Sequence, residues 1–359
     1  MSLSSQSSLP SLPSLDLHQQ QPSTLHHCVL TLCGNSSSYV SALAANGSSL
    51  YSGSSDGEIR SWRLGTCDVG SGCYSGHVVA LCRSAVKSLV VPRGRLFSAH
   101  QDRRIHLWQI RHQRETSHGG YRLTATLPTA GDRLLSLLSP GSYVEVRRHK
   151  KCTWVHHVDA VSTLAVSHDG ALLFSAAWDC TFKGQDRLHG LRRHHRQGVA
   201  AAPGGAKHSL AGTLERHRSA VNALALSPDG LVLYSGACDR SVVVWKGGGG
   251  ESGGGGSPSP PMTMVGALRG HTKAVLCLAT VGELVCSGSA DKSARVWRRG
   301  PDNSYSCLAV LEGHRGPVKC VAMAVSGEQE DEVADACGGV FHTIYTGSLD
   351  CDIKVWRVL

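Results

Sequence analysis

Histidine, serine or threonine, and aspartate recur in this chain in a fixed order, and each set ends on a tryptophan. A serine hydrolase uses the first three residue types as base, nucleophile and orienting carboxylate. Catalysis needs only one such set, whereas a set repeated along the chain is typical of a structural hydrogen-bond network. The pattern therefore predicts an architectural role and no catalytic residue. The three complete sets are His217, Ser235, Asp239 and Trp245; His271, Ser287, Asp291 and Trp297; and His314, Thr346, Asp350 and Trp356.

The stretch 233–246, LYSGACDRSVVVWK, indicates which elements must hold these residues. Residues 233–236 and 241–245 have the composition of strands, and Asp239 lies in the tight turn between them. The same hairpin, with tryptophan six residues after aspartate, recurs at 51–62, 97–108, 286–297 and 345–356. A partial copy at 174–179 is followed by Gln185 where the tryptophan should be. A period of roughly 40 to 60 residues that opens on histidine and closes on tryptophan predicts a propeller of four-stranded blades.

These repeats resemble the WD40 family, and the resemblance covers nearly the whole chain from about residue 23. It implies an all-β propeller in which each complete set forms a hydrogen-bonded tetrad inside one blade. Six repeats are recognisable, and related proteins have seven blades, so one repeat is missing or degraded near 184–213. Further positions that match the repeat are Asp56, Trp62, Asp102, Trp108, His157 and Asp179.

Composition divides the chain into a tail, one propeller and loop insertions. Residues 1–22 are rich in Ser, Leu, Pro and Gln and contain no Lys or Arg, which predicts a disordered tail rather than a targeting leader. Residues 23–359 are assigned to the propeller, with loop insertions at 111–150, 184–206, 247–262 and 326–340. The insertion at 184–206 is interpreted either as a true loop or as an error in the source sequence. Residues 28–32, CVLTL, are apolar enough to supply the missing outer strand of the last blade.

Charge and cysteine content disfavour several other classes of protein. The 14 cysteines include no CxxC pair, which favours reduced thiols in an intracellular protein. No apolar run approaches 18 residues, so no membrane partner is expected. His189, His194 and His195 lack accompanying cysteine or carboxylate ligands, and the arginines among them lack interleaved aromatic residues. We therefore expect no metal, no cofactor and no nucleic-acid partner. The basic cluster at 147–151 is interpreted as a solvated loop, with a nuclear localisation signal as the alternative.

Positive charges gather at the turns on one side of the expected propeller. The formal net charge of the chain is +9. A ring of cations with an exposed aromatic residue predicts a partner-binding rim for an acidic protein segment. The alternative is a solvated polar rim, because turns favour polar residues anyway. The residues of this predicted rim are Arg103, Arg240 and Lys292 after turn aspartates, Arg218, Lys273 and Arg315 after opening histidines, and Trp178.

Three classes of function are compatible with such a propeller. The leading interpretation is a non-catalytic scaffold or adaptor that binds other proteins. A substrate receptor of a cullin-type ubiquitin ligase is the second, but its usual signature places Asp and a basic residue after the closing tryptophan. The residues found there are Arg63, Gln109, Lys246, Arg298 and Arg357. An enzyme is not expected, since the sequence has no phosphate loop, kinase signature or isolated carboxylate pair.

Two longer stretches are similar to the plant Jingubang-type WD40 proteins. They are VEVRRHKKCTWVHHVDAVSTLAVS with SAAWDCTFK, and LRGHTKAVLCLATVGELVCSGSADKSARVWRR. The resemblance implies a plant regulatory scaffold of the cytoplasm and/or nucleus, associated with pollen germination and tube growth. The departure after Lys183 leaves a truncated, partly non-functional paralogue as a further alternative. Fold alone does not determine function, so this role is analogy.

Overall fold

The computed structural model is built from β-strands. It describes residues 26–33, 38–47, 49–63, 76–92, 94–111, 120–127, 143–147, 150–153, 160–166, 172–177, 182–186, 217, 219–246, 263–325 and 341–358. Within these ranges every regular element is a strand. Among the same residues, no helix has the length and apolar character that crossing a membrane requires.

The strands form six antiparallel sheets of three or four strands and one two-stranded sheet. Sheet I contains β2 (Val40–Asn46), β3 (Ser49–Ser54), β4 (Glu58–Arg63) and β5 (His77–Leu81). Sheet II contains β6 (Val86–Val90), β7 (Arg95–His100), β8 (Ile105–Arg111) and β9 (Gly120–Leu127). The two-stranded sheet pairs β10 (Tyr143–Arg147) with β11 (Lys150–Thr153). Sheet III contains β12 (Val161–Val166), β13 (Leu172–Ala177) and β14 (Phe182–Asp186).

The remaining three sheets come from the second half of the chain and one early strand. Sheet IV contains β15 (Val221–Leu226), β16 (Val232–Ala237), β17 (Val242–Lys246) and β18 (Thr263–Leu268). Sheet V contains β19 (Val275–Val281), β20 (Leu284–Ser289), β21 (Ala294–Arg299) and β22 (Tyr305–Leu311). Sheet VI contains β23 (Val318–Val325), β24 (His342–Ser348), β25 (Asp352–Val358) and, at its outer edge, β1 (His26–Cys33). The predicted all-β propeller with four-stranded blades is confirmed.

Successive sheets pack through a glycine on one sheet and the first valine of the next. A Cβ atom on Gly236 of β16 would lie 2.6 Å from Cγ1 of Val275, the first residue of β19. The same relation joins sheet VI to sheet I, where a Cβ on Gly347 would lie 2.9 Å from Cγ1 of Val40. Real Cβ contacts are longer than these, so only glycine allows the valine to approach. The Ser-Gly dipeptide of the repeat is therefore a packing requirement between neighbouring blades.

Side chains of the innermost strands contact backbone carbonyls of other innermost strands, and these contacts place the starts of the strands at the same height. Asn222 of β15 donates to the Val275 carbonyl at 2.8 Å, and Ser41 of β2 donates to the Val86 carbonyl at 2.5 Å. The thiol of Cys320 in β23 approaches the Val40 carbonyl at 3.8 Å in the same manner. Each bond joins one inner strand to the first residue of another. The starts of the inner strands, and the turns beside them, therefore share one face of the molecule.

Strand β1 completes the last sheet, as the apolar stretch 28–32 predicted. It pairs antiparallel with β25, with Leu32 opposite Ile353 and Thr31 opposite Lys354. Leu32 is 1% exposed and packs in a buried cluster that includes Ile353 and Val40. The pairing satisfies the edge of β25, because its backbone donors and acceptors meet those of β1.

The inner strand of sheet IV has an exposed apolar face. Val221, Leu224 and Leu226 of β15 are 48%, 63% and 50% exposed. In sheets V and VI, by contrast, the first valines Val275 and Val318 are fully buried. Among the described residues, sheet IV therefore lacks the covering on one side that the neighbouring sheets give each other. The predicted break at 184–213 comes a few residues before β15, and residues 187–213 lie outside the described residues.

The structure places strands where the sequence predicts an insertion. Strand β9 and strand β10 both fall within 111–150, and β9 is the outer strand of sheet II, paired along β8. The range is thus more than a loop insertion. The tail 1–22 and the insertions 247–262 and 326–340 lie outside the described residues. The described cysteines are free thiols, with Cys286 and Cys320 buried.

Candidate functional site

In sheet V, four side chains from four segments form one continuous hydrogen-bond network. His271 lies before β19, Ser287 lies in β20, Asp291 lies in the following turn and Trp297 lies in β21. Nδ1 of His271 lies 2.8 Å from Oδ2 of Asp291, and Nε2 lies 2.9 Å from Oγ of Ser287. Because a carboxylate can only accept, the ring proton lies on Nδ1. The Ser287 hydroxyl then donates to Nε2 and accepts the indole N–H of Trp297 at 3.0 Å.

The same network is present in sheets IV and VI. His217 lies 2.9 Å from Oδ2 of Asp239 and 2.8 Å from Oγ of Ser235, which accepts from Trp245 at 2.8 Å. In sheet VI the hydroxyl comes from a threonine. The corresponding distances are 2.9 Å for His314 to Asp350, 2.8 Å for His314 to Thr346 and 2.8 Å for Trp356 to Thr346. The structure thus brings together all three sets that the sequence singles out.

The hydrogen-bonded sequence of aspartate, histidine and serine matches a hydrolase triad, but the surroundings of the serine do not suit catalysis. Ser287 is fully buried and its hydroxyl already contacts both His271 and the indole of Trp297. A nucleophile must instead have room for a reacting carbon within about 3.5 Å. The network therefore stabilises the blade and offers no route for a substrate.

Sheets I and II contain similar hydrogen-bond networks that are built from different residues. In sheet I, Ser38 donates to Oδ2 of Asp56 at 2.8 Å, in the place where the other sheets use histidine. Trp62 still donates to Ser52 at 2.8 Å. In sheet II, Trp108 donates to Ser98 at 3.0 Å, and Nε2 of His100 meets the same hydroxyl at 2.8 Å. His100 lies at the end of β7, so here the imidazole comes from the second strand and not from the loop before the first.

The remaining predicted repeat residues fall elsewhere. Asp102 lies in the turn of sheet II, where its Oδ1 accepts from the backbone N–H of Arg104 at 3.2 Å. His157 and Asp179, predicted for sheet III, lie outside the described residues, and so do Trp178 and Arg218 of the predicted rim.

The turn aspartates of sheets V and VI are held in the ionised form. Burial by itself raises the pKa of Asp291, but hydrogen bonds from His271 and Ser293 outweigh it, and the pKa lies below its ordinary value. The pKa of Asp350 is likewise lowered, because the backbone N–H of Asp352 and the ring of His314 counteract burial. Burial lowers the pKa of His314, although Asp350 opposes the effect. The ring of His314 is therefore a neutral donor at neutral pH.

Acid is expected to weaken the fold through these groups. A carboxylate whose pKa is lowered in the folded state stabilises above its unfolded pKa of 3.8 and loses that contribution as the pH falls toward the folded pKa. His314 acts in the same direction from its ordinary pKa of 6.5 downward. The free energy of unfolding should therefore decline steadily from pH 7 to about pH 3, with the steepest loss below about pH 4.

The variant Asp291→Asn isolates one carboxylate. We expect it to lose about 1 to 3 kcal/mol at pH 7, because donors from His271 and Ser293 lose their charged acceptor. The difference from the unsubstituted protein should shrink below about pH 4. Urea unfolding at pH 3 to 8 measures this, and a difference that is constant over the whole range would contradict the assignment.

The cations of the predicted rim lie at equivalent turn positions. Arg103, Arg240 and Lys292 follow the turn aspartates of sheets II, IV and V, and their φ angles are 72°, 72° and 73°. All three are exposed, as are Lys273 and Arg315 in the loops before β19 and β23. Backbone bonds tie each loop to its turn, for example Ala290 N–H to the Ala274 carbonyl at 2.9 Å. We call Arg103, Arg240, Lys273, Lys292 and Arg315 the basic rim.

Some members of the network escaped the sequence analysis. Ser241 and Ser293 each donate their hydroxyl to the turn aspartate two residues before, at 2.6 Å and 2.7 Å. The Asp-x-Ser spacing could have revealed both. His100 could not be found by spacing, because it stands at a position that holds Ser289 in sheet V and Ser348 in sheet VI.

Comparison with known proteins gives the same picture. The family model described as "WD domain, G-beta repeat" matches residues 26–63, 149–183, 208–246, 262–298 and 305–357, more than half of the chain. Three of these matches open on an outer strand, β1, β18 or β22, and continue into the next sheet. The chain is also 34% identical over 120 residues to the probable cytosolic iron-sulfur protein assembly protein 1 of Chaetomium globosum, which covers 29% of this chain and 26% of that protein.

Two other relatives illustrate the breadth of the similarity. The pre-mRNA-processing factor 19 homolog 2 of Arabidopsis thaliana is 36% identical over 66 residues, 18% of this chain and 13% of that protein. The 66 kDa stress protein of Physarum polycephalum is 25% identical over 321 residues, 86% of this chain and 44% of that protein. The chain thus spans less than half the length of each of these relatives. On the repeats matched and the tetrads found, it belongs to the WD40 repeat family.

Proposed function

We propose that this chain is a non-catalytic scaffold whose basic rim binds an acidic segment of another protein. The observation that supports it most directly is the convergence of five exposed cationic side chains on one face. The inner strands begin at a common level, so the loops with Lys273 and Arg315 lie on the same side as the turns with Arg103, Arg240 and Lys292. Such a surface attracts acidic partners and speeds their association.

The backbone at three of these positions supports the same proposal. Arg103, Arg240 and Lys292 adopt left-handed φ angles, a conformation that Gly57 adopts at the corresponding turn of sheet I. Left-handed backbone costs a residue with a Cβ atom about 1 to 2 kcal/mol, whereas glycine adopts it freely. Cationic residues thus occupy three turn positions where glycine would be more stable, and Cys351 occupies the fourth, in sheet VI, with a φ angle of 73°.

Charge reversal at two of these positions tests the proposal. We expect Arg240→Glu with Lys292→Glu to weaken binding to acidic peptides about tenfold or more, since two attractive charges become repulsive. Binding of the unsubstituted protein should also weaken as salt is raised from 0.05 to about 0.5 M. The measurement is fluorescence anisotropy with labelled peptides rich in Asp and Glu.

Two control variants separate the rim from general effects. Lys246→Glu with Arg357→Glu makes the same change in net charge at the ends of β17 and β25, on the opposite face, and should leave binding within about twofold. Arg240→Gly with Lys292→Gly removes the charges while relieving the backbone, and should bind weakly yet unfold no more easily than the unsubstituted protein. Equal binding by the rim and opposite-face reversals would remove the basic rim from consideration.

The biological setting is proposed from the resemblance to Jingubang-type proteins alone. We infer a plant regulatory scaffold of the cytoplasm and/or nucleus that acts in pollen germination and tube growth. Pollen that lacks the protein should differ in germination frequency or tube length, and unchanged pollen would set this part of the proposal aside. Mass spectrometry of captured partners tests the ligase-receptor alternative, which requires ligase subunits among them.

A further inference from the structure

Sheet II departs from its neighbours in the loop before its first strand. In sheets IV, V and VI a histidine stands four residues before the first valine of the inner strand; in sheet II that place is taken by Cys82, four residues before Val86. The backbone N–H of Cys82 donates to the Gly57 carbonyl at 2.9 Å, which fixes the loop against sheet I. The tetrad position thus carries a thiol in place of an imidazole.

Two imidazoles lie beside this thiol. Sγ of Cys82 is 3.9 Å from Nδ1 of His106, and the rings of His106 and His100 have centroids 4.5 Å apart. One donor atom from each of the three residues lies within 4.8 Å of the other two. Cys82 and His106 are half-buried, and His100 is fully buried. The cluster is therefore rigid on one side and accessible to solvent on the other.

His100 already has a structural role, whereas the contact between Cys82 and His106 is weaker. Nε2 of His100 meets the Ser98 hydroxyl at 2.8 Å and its Nδ1 meets the Ser84 carbonyl at 3.1 Å. The distance from Sγ of Cys82 to Nδ1 of His106, 3.9 Å, is too long for a strong hydrogen bond. A thiol and an imidazole that lie this close without a strong hydrogen bond between them are both available to one shared ligand.

The separation of these atoms suits a metal ion. Zinc binds sulfur at about 2.3 Å and nitrogen at about 2.0 to 2.1 Å, so tetrahedral geometry separates the two ligand atoms by roughly 3.6 Å. Sγ of Cys82 and Nδ1 of His106, 3.9 Å apart, would need to move by only a few tenths of an ångström. The donor atoms of the three residues lie within 4.8 Å of one another, so the ring of His100 must move further.

We propose that Cys82, His106 and His100 form a binding site for a thiophilic divalent metal ion of the Zn²⁺ class. On binding, the S–H proton of Cys82 is released to solvent and a sulfur–metal bond forms. Nδ1 of His106 donates its lone pair to the ion. His100 shifts its ring proton from Nδ1 to Nε2, so Nε2 now donates to the Ser98 hydroxyl instead of accepting from it, and Nδ1 turns from the Ser84 carbonyl to the ion. Water fills the fourth position.

Titration of the full chain with Co²⁺ tests the site, because Co²⁺ takes the place of Zn²⁺ and reports its ligands by absorption. We expect one equivalent to bind with a thiolate-to-cobalt charge-transfer band and with the intense visible bands of tetrahedral coordination, and Zn²⁺ to displace it. Cys82→Ser should lose the charge-transfer band. Cys238→Ser, at an exposed cysteine in the turn of sheet IV, is the matched control and should keep it.

A second variant protects the test from a failure of folding. If Cys82→Ser unfolds, as circular dichroism would reveal, His106→Gln decides instead, since this half-buried ring can be replaced at little cost to the sheet. It should bind Co²⁺ at least tenfold more weakly and with shifted visible bands. The proposal is overturned if no thiolate band forms, if the band survives in Cys82→Ser or is lost in Cys238→Ser, or if His106→Gln binds unchanged. None of these results depends on the basic rim.

Discussion

A chain that begins at residue 34 is expected to be far less stable than one that begins at residue 26. The difference between them is β1, which supplies the outer strand of sheet VI. Leu32 is 1% exposed, and replacing such a leucine with alanine alone costs about 2 to 5 kcal/mol. Loss of the whole strand also leaves the edge of β25 unpaired. We therefore expect a loss of more than about 5 kcal/mol, with aggregation through the open edge.

Both chains lack residues 1–25, so they differ only in β1. Thermal unfolding followed by circular dichroism gives the comparison, and Leu32→Ala in the longer chain should fall between the two. A synthetic peptide of residues 26–33 added to the shorter chain should restore part of the loss, because it can pair with β25. Equal melting temperatures for the two chains would show that β1 does not hold the propeller closed.

The second large effect is expected at Trp297. Its indole is 1% exposed and packs in a cluster with Val285, Tyr234 and Tyr305, at the junction of sheets IV and V. Trp297→Ala should cost about 3 to 5 kcal/mol, because a large cavity forms between two blades. It also leaves the Ser287 hydroxyl without its indole donor. Urea unfolding at pH 7 provides the measurement.

A phenylalanine at this position separates packing from hydrogen bonding. Trp297→Phe keeps most of the ring but not the indole N–H, so the loss should be smaller than for alanine, at about 1 to 3 kcal/mol. This account is contradicted if Trp297→Ala lowers the free energy of unfolding by no more than Trp297→Phe does. That result would mean that the cavity carries little of the energy.

The fold could be predicted because its repeat carries several constraints at once. The turn aspartate, the Ser-Gly pair and the tryptophan must all keep their spacing, since Gly236 makes room for Val275 and Trp245 must reach Ser235. Strand β9 was missed for the opposite reason. As an outer strand it is exposed at Leu123 and has no tetrad residue, so only alternating polarity marks it.

The candidate site could be predicted in those sheets where each tetrad residue comes from its usual position in the repeat. The three complete tetrads could be read from spacing, because histidine, hydroxyl and aspartate each come from a fixed position. Sheet II could not be, since His100 reaches the Ser98 hydroxyl from the second strand while Cys82 occupies the usual histidine position. Which imidazole meets a buried hydroxyl depends on the fold in three dimensions.

The sequence pattern also could not predict which apolar strand is exposed to solvent. Leu224 and Leu226 belong to β15, whose apolar sequence is similar to those of β19 and β23. This apolar pattern predicts that both side chains are buried. In the structure both leucines are at least half exposed. Burial of an inner strand depends on the neighbouring blade, which is a property of the assembled ring.

The pairing of β1 with β25 also has a consequence for biosynthesis. Thr31 and Lys354 are in contact although 323 residues separate them. A ribosome therefore releases the N-terminal strand long before its partner exists, and the nascent chain must carry that apolar segment unpaired throughout translation. Contacts between such distant residues slow folding, so chaperone demand should be greatest just before the final hairpin emerges.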